Sequence, residues 1–375
     1  AKIITTTFTE RSNVMDSTTS LLLTGATGQL GSFILAEFLG YGTNPAFSGP
    51  IFCSKRPESS FRQLHLTAEF LGIEAEALTA HPQVHFLDLD LSDGIHSREE
   101  LQDYCTAHHL PLPSTILHAA ANINISPAAS GPSVSNVKLV NEMLLLAELL
   151  TAEHFTHISS IAVMGGVEPL GEEETLQPEH FQPNRSTSSV SAYALGKMGS
   201  ELAVWRAASS GQSISIVRPG VILGIGAKQA IPQELWRRIH DNKLPLTTDG
   251  MTGVVDVRDV AEIAVKMHHE RIEGPAVAVA ATVTFQELQE KMAAAIGVQR
   301  TFRFLPRDPW LERMRSLGFL AKFPVIGKYF TPQMRIMLYS RTRYDGATGA
   351  QQLASGYRDV DSTVNACGGF LQNIF

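Results

Sequence analysis

The sequence predicts an α/β fold: a doubly wound parallel sheet with a smaller, mostly helical C-terminal lobe. Three observations carry this. Short apolar, β-rich runs alternate with helical periodicities through the first part of the chain, the pattern of strands joined by helical crossovers. A glycine-rich turn, Thr24-Gly25-Ala26-Thr27-Gly28-Gln29-Leu30-Gly31, follows the apolar run Leu21-Leu22-Leu23 directly. At 375 residues the chain exceeds a typical single domain, and after Gly224 the alternation lapses, so one large domain and a lobe are expected.

Taken in order, residues 1–18 are polar and rich in Thr and Ser, and read as a leader or linker without an apolar signal core. Strands are expected at Ser20–Thr24, Ile51–Ser54, Val84–Asp88, Thr115–His118, Thr156–Ser160 and Ser213–Val217. Helices are expected at Gln29–Leu39, Phe61–Leu71, Ser97–His108, Val137–Glu153 and Ala192–Ala208. Glu168–Ser191, acidic and interrupted by proline, reads as an exposed loop. Asp256-Val257-Arg258-Asp259-Val260-Ala261 opens a further helix with Asp259 as N-cap, and Val277–Ala280 supplies a last strand. Residues 19–225 and 254–282 then form the sheet domain, and 226–253 with 283–375 the lobe. No internal repeat is present.

Composition narrows the function. Hydrophobic content of 44% and charged content of 18% are those of a globular protein. A net charge of −7 gives no support to nucleic-acid binding. Cys53, Cys105 and Cys367 form neither a CxxC pair nor a zinc set, which points to a reduced, cytoplasmic chain without a metal. The histidines supply no HExxH pattern, and His108-His109 and His268-His269 read as surface pairs. No apolar stretch approaches the roughly 20 residues that cross a bilayer, so no membrane partner is expected. The chain starts at Ala1, as a processed, tagged or excised polypeptide would. From Gln299 to Asp345 ten basic residues face three acidic ones, a local +7 that leaves −14 elsewhere. That segment is either a docking face for an acidic partner or a solvated helical surface.

The glycine turn indicates a nicotinamide dinucleotide in a Rossmann-like domain. Gly25, Gly28 and Gly31 have GxxGxxG spacing, which lets backbone approach a pyrophosphate at a helix N-terminus; Thr27, Gln29 and Leu30 line the same turn. The second strand ends in Cys53-Ser54-Lys55-Arg56, with Arg62 a helical turn or so beyond and no acid before Glu58. Lys55, Arg56 and Arg62 suit a 2′-phosphate, so NADPH is expected rather than NADH; the plain alternative is a solvated strand end. Asp90-Leu91 either meets the adenine or caps the next turn. Ala119-Ala120-Ala121 either passes close to the cofactor or packs a helix; its place at a strand's carboxyl end favours the former.

Tyr193 and Lys197 share one helix face a turn apart. A tyrosine with an ordinary pKa near 10 is a poor acid–base group at neutral pH, and a neighbouring ammonium favours its phenolate. Ser160 supplies a hydroxyl for a substrate carbonyl, so that Ser160 and Tyr193 stabilise a developing oxyanion and Tyr193 protonates it. Asn136 either holds a water in a proton relay or caps the fourth helix.

Together TGATGQLG, ILHAAANIN, ISSIAVMG, YALGK, VRPGVILG and VDVRDVA, in that order, resemble the extended short-chain dehydrogenase/reductase superfamily. Within it the chain is most similar to the terminal thioester reductase domains of non-ribosomal peptide synthetases, polyketide synthases and carboxylic acid reductases. LLLTGATGQLGSFIL, the basic Lys55-Arg56 and Arg62, the Ser160/Tyr193/Lys197 set, and VTFQELQEKMAAAIG leading to Asp308-Pro309-Trp310-Leu311 carry this resemblance. Ser160 replaces a frequent threonine, and the polar strand end at Cys53-Ser54-Lys55 departs from the family's apolar one. The resemblance implies NADPH-dependent release of an acyl or peptidyl thioester, tethered to a carrier domain's phosphopantetheine, as an aldehyde or onward to the alcohol. It also extends the cofactor-contacting set to Pro219 and Val221, and a monomeric isolated domain is expected. The rival readings are another extended reductase (a ketoreductase, sterol dehydrogenase or sugar-nucleotide epimerase) or a non-enzymatic NADPH sensor.

Overall fold

The computed structural model describes residues 19–121, 131–165, 173–177, 180–181, 192–226, 231–305 and 338–374. The expected leader at 1–18, the segment Asp308–Leu311 and most of the basic run after Leu305 lie outside the described residues. A seven-stranded parallel sheet is built from β1 (Leu21–Thr24), β2 (Ile51–Lys55), β3 (Val84–Asp88), β4 (Thr115–His118), β5 (His154–Ile158), β7 (Ile214–Pro219) and β11 (Gly274–Ala278). Its order is β3-β2-β1-β4-β5-β7-β11. The chain winds outward from β1 to β3 and then restarts at β4 on β1's other side, which opens a crevice at the carboxyl ends of β1 and β4.

Both faces are covered. Helices α1 (Gln29–Phe38), α2 (Arg62–Leu71) and α7 (Val257–His269) form one layer, and α3 (Gly94–His108), α4 (Gly131–Leu149) and α5 (Ala192–Ser209) the other. Alternate residues of β1 divide between them: Leu21 and Leu23 join Phe33, Ile34 and Ile263, whereas Leu22 joins Ile116, Phe155, Met143 and Val204. This two-sided burial explains why β1 reads as an unbroken apolar run. Each leucine so buried contributes about 1.5–3 kcal/mol relative to exposure.

The smaller elements gather beyond this sheet. They comprise β8 (Val221–Leu223), β10 (Met251–Asp256) and β12 (Ala281–Thr284) in one sheet, and β9 (Leu246–Thr247) with β13 (Arg303–Phe304) in another. Helix α8 (Phe285–Ala295) packs against both α6 (Ile231–His240) and α9 (Val360–Gln372). Thr284 and Glu287 close a capping box on α8. No helix among the described residues is long and apolar enough to cross a membrane.

Several expectations are corrected. The segment read as a loop at Glu168–Ser191 contains β6 (Glu173–Leu176), paired in parallel with β14 (Arg341–Tyr344); its partner is distant in sequence, so no local signal marks it. β5 begins at His154, whose ring is buried and satisfied by Ser213 and Ser215, and ends at Ile158, because Ser160 caps the short helical turn that follows. Strand β11 likewise begins earlier, at Gly274, and ends at Ala278. The N-cap of α7 is Asp256, which accepts from the Arg258 backbone N–H; Asp259 is buried in the first turn and accepts from Arg358. Helix α4 starts at Gly131, so Asn136 is internal to it and not its cap. His268 is fully buried, its ring nitrogens engaged by Thr156 and Thr115; only His108 and His109 lie at the surface as expected.

Candidate active site

The glycine turn forms a close backbone cradle. Gly25 has φ +78°, and a Cβ there would come 2.8 Å from the Ala120 nitrogen. A Cβ on Gly31 would lie 1.9 Å from the Gly25 carbonyl oxygen. Gly28 caps α1 in an extended conformation with no side-chain cap, and no acid occupies the first turn, where Gln29, Leu30 and Gly31 lie. The Gln29 Nε2 donor is buried without a partner among the described residues. Unspent N–H groups, a positive helix end and an orphaned donor fit a pyrophosphate. Thr27 lies in the same turn. Across the crevice, the Ala119 N–H donates to the Thr24 carbonyl (3.2 Å) and the Ala120 N–H to Thr24 Oγ1 (3.2 Å). Thr24 Oγ1 also shares a hydrogen bond with His118 Nδ1 at 2.8 Å. Ala119 and Ala120 thus lie against the glycine turn in the stretch that follows β4, with Ala119 also packed on the core, and Ala121 comes next in that stretch.

At the edge of the cradle, Lys55 pairs with Asp88 at the end of β3, an acid in space that the local sequence does not reveal. Arg56 is exposed and 3.4 Å from Glu58, and Arg62 opens α2 at the surface. The Asp90 carboxylate accepts from the Ser92 backbone N–H (3.0 Å) and hydroxyl (2.7 Å), which hold it below the usual carboxylate range. These are turn-capping bonds; Leu91 beside it packs on the core between the sheet and α3–α5.

Ser160, Tyr193 and Lys197 come together at the carboxyl end of β5. Ser160 caps a short helical turn, Ile161–Val163, accepting from the Ala162 N–H at 3.2 Å. Tyr193, in the first turn of α5, is hydrogen-bonded to Ser160; burial pushes its phenol above the ordinary value and that bond opposes the rise. Tyr193 is therefore protonated at neutral pH. Lys197 Nζ donates to the Ile158 carbonyl at 2.9 Å. Burial lowers its pKa to about 8, with the Glu201 charge opposing. Pro219 ends β7 and Val221 opens β8, on either side of Gly220.

Sequence reasoning missed the scaffold behind this set. Glu201, two turns after Tyr193, is fully buried and salt-bridged to the buried Arg218 of β7. Ser159 Oγ and Trp205 Nε1 donate to the same carboxylate. Arg218 also reaches the His180 carbonyl (3.4 Å) and lies over the Phe181 ring (5.8 Å). The i, i+4, i+8 spacing of Tyr193, Lys197 and Glu201 was the available signal.

A sequence profile of the NAD-binding family described as "Male sterility protein" matches residues 23–272. The chain belongs to that family. As a male sterility family member it is an extended short-chain reductase of the NAD(P)-dependent kind. It is 26% identical over 228 residues to L-2-aminoadipate reductase of Saccharomyces cerevisiae, covering 56% of this chain and 16% of the yeast protein. The fold of this family member matches the terminal R domain of the myxalamid PKS-NRPS biosynthetic pathway, with TM-score 0.70 and 22% identity over 96% of this chain and 92% of that one. It also matches gox2253, with TM-score 0.72 and 19% identity over 95% and 98% of the two chains. DesIV, a dTDP-glucose 4,6-dehydratase of Streptomyces venezuelae, matches with TM-score 0.68 and 16% identity over 94% and 97%.

Proposed function

We propose that this chain is an NADPH-dependent thioester reductase that releases an acyl or peptidyl group from a carrier domain as an aldehyde. The observation that carries the reading is the Ser160–Tyr193 hydrogen bond beside the buried Lys197, at the carboxyl edge of the sheet and next to the glycine cradle. Gly25, Thr27, Gly28, Gln29, Leu30 and Gly31 hold the pyrophosphate; Arg56 and Arg62, with Lys55 tied to Asp88, face the 2′-phosphate. NADPH, when bound, supplies the hydride.

Tyr193 and Ser160 hydrogen-bond the thioester carbonyl oxygen, and Tyr193 passes it a proton as charge develops there. Lys197 keeps the phenol's environment positive and orients the ribose. The resulting hemithioacetal breaks its C–S bond, the hydroxyl proton passes to sulfur, and aldehyde and thiol separate. The likeness to a PKS-NRPS R domain and to L-2-aminoadipate reductase supports a carrier-tethered substrate. We assign residues 226–253 and 283–375 to shaping that substrate's pocket, with the exposed Arg303 on the docking face. The test is NADPH oxidation with an acyl thioester: Tyr193→Phe lowers kcat by about 10²–10⁴-fold while NADPH affinity stays near wild type. A fully active Tyr193→Phe chain overturns the mechanism.

A further inference from the structure

Two imidazoles beneath Lys197 take no part in that chemistry. His118 ends β4, and its register partner in β5 is His157. Their rings stack with centroids 5.8 Å apart on the α4–α5 side, the side that Ile116 and Phe155 of the same strands occupy. Thr24 engages His118 Nδ1. His118 Nε2, both ring nitrogens of His157, and the hydroxyl of Ser200, on α5 just after Lys197, are buried with no partner among the described residues. All three residues are at most 2% exposed.

A buried polar atom left unpaired costs about 1–3 kcal/mol, and a neutral imidazole always carries one N–H that needs an acceptor. Burial and the Lys197 charge hold both imidazoles neutral at physiological pH. Four such atoms on facing elements beside a buried ammonium mark a polar seam, and buried polar groups of this kind are commonly paired by bound water. We infer that the seam between β4, β5 and α5 holds a short chain of bound water, and that His157 fixes this chain against Lys197 as a positioning residue. The second half of the inference rests on the proposed role of Lys197.

The groups around Lys197 are accounted for. Tyr193 and Glu201 lie on its own helix, and Arg218 of β7 neutralises Glu201. His118 and His157 face it from β4 and β5. On α4, Lys138 acts on Asp90, and Glu142 accepts from the Gly94 N–H.

The first test needs no activity. A high-resolution crystal structure of the wild-type chain is expected to show ordered water within about 3.2 Å of a His157 ring nitrogen. A dry seam overturns the inference. The second test compares His157→Phe with His157→Asn in the pH profile of kcat. Phenylalanine expels the water and leaves the ammonium less solvated, so the alkaline limb moves down by about one pH unit. Asparagine, which keeps a donor and an acceptor, restores most of that shift. A wild-type profile for His157→Phe overturns the positioning role. Should that variant fail to fold, Ser200→Ala is expected to shift the limb in the same direction by less, and no shift is equally fatal. Failure of the thioester reading is distinguishable: the wild-type chain then shows no thioester turnover while the water remains in place.

Discussion

The central sheet buries two sets of histidine at opposite ends, and they are satisfied differently. At the amino ends of the strands, His154 is bonded through both nitrogens to Ser213 and Ser215, and His268 to Thr156 and Thr115. At the carboxyl ends, His118 keeps one bond, to Thr24, and His157 has none among the described residues. Residue type and burial are alike; only the completeness of hydrogen bonding differs. A closed polar network fixes strand register and helix docking. An open one, beside the crevice, is free to bind and to orient other groups.

The largest test of this contrast is acid. Burial pushes His118 and His154 down to about 3, and His157 and His268 well below the ordinary value. The unfolded chain takes up these protons near pH 6.5 and the folded chain does not. Stability is therefore complete above about pH 6.5 and falls as pH drops toward 3, by up to about 1.4 kcal/mol per pH unit for each group. Urea titrations at pH 7 and pH 5 should differ by several kcal/mol, and replacing any one of the four histidines by Phe should flatten the slope.

Next in size is His268→Phe, which strands the Thr115 and Thr156 hydroxyls. We expect a loss of about 1–3 kcal/mol with kcat of the folded protein unchanged. An equal fall in kcat at a permissive temperature would erase the distinction between the two ends. At the carboxyl end the effect should reverse. Arg56→Ala with Arg62→Ala is expected to raise KM for NADPH about tenfold, leaving NADH turnover and Tm unmoved, in keeping with the loss of charge-assisted hydrogen bonds. The smallest effect is the alkaline limb itself. Because burial places Lys197 near 8, kcat/KM should decline as pH rises through that value, whereas this group's contribution to stability rises over the same range, since the unfolded lysine keeps its proton up to about 10.5.

What the sequence reveals follows from how local each feature is. Strands β1 to β4 and helices α1, α2 and α5 announce themselves by apolar period and by Gly28 at a helix entry. The Gly25–Gly31 turn and the Tyr193–Lys197 spacing are likewise local. What stays hidden is contact across the fold. Asp88 meets Lys55 only because β3 lies beside β2. His268 reads as a surface residue until α7 sets it over β4 and β5. Asp256 rather than Asp259 caps α7 because β10 runs straight into that helix at this residue. Asn136 looked like a helix start because the signal for α4 begins at its apolar stripe, one turn or more after its first residue.

The parallel pairing of β6 with β14 has a consequence for the order of assembly. Glu173 lies opposite Arg341, so the strand that precedes Tyr193 meets its partner only after the ribosome has made almost the whole lobe. Strands β1 to β5, and the glycine cradle with them, can associate long before that. Closing so long a loop is slow. A nascent chain would therefore acquire the crevice between β1 and β4 first and the surroundings of Tyr193 last.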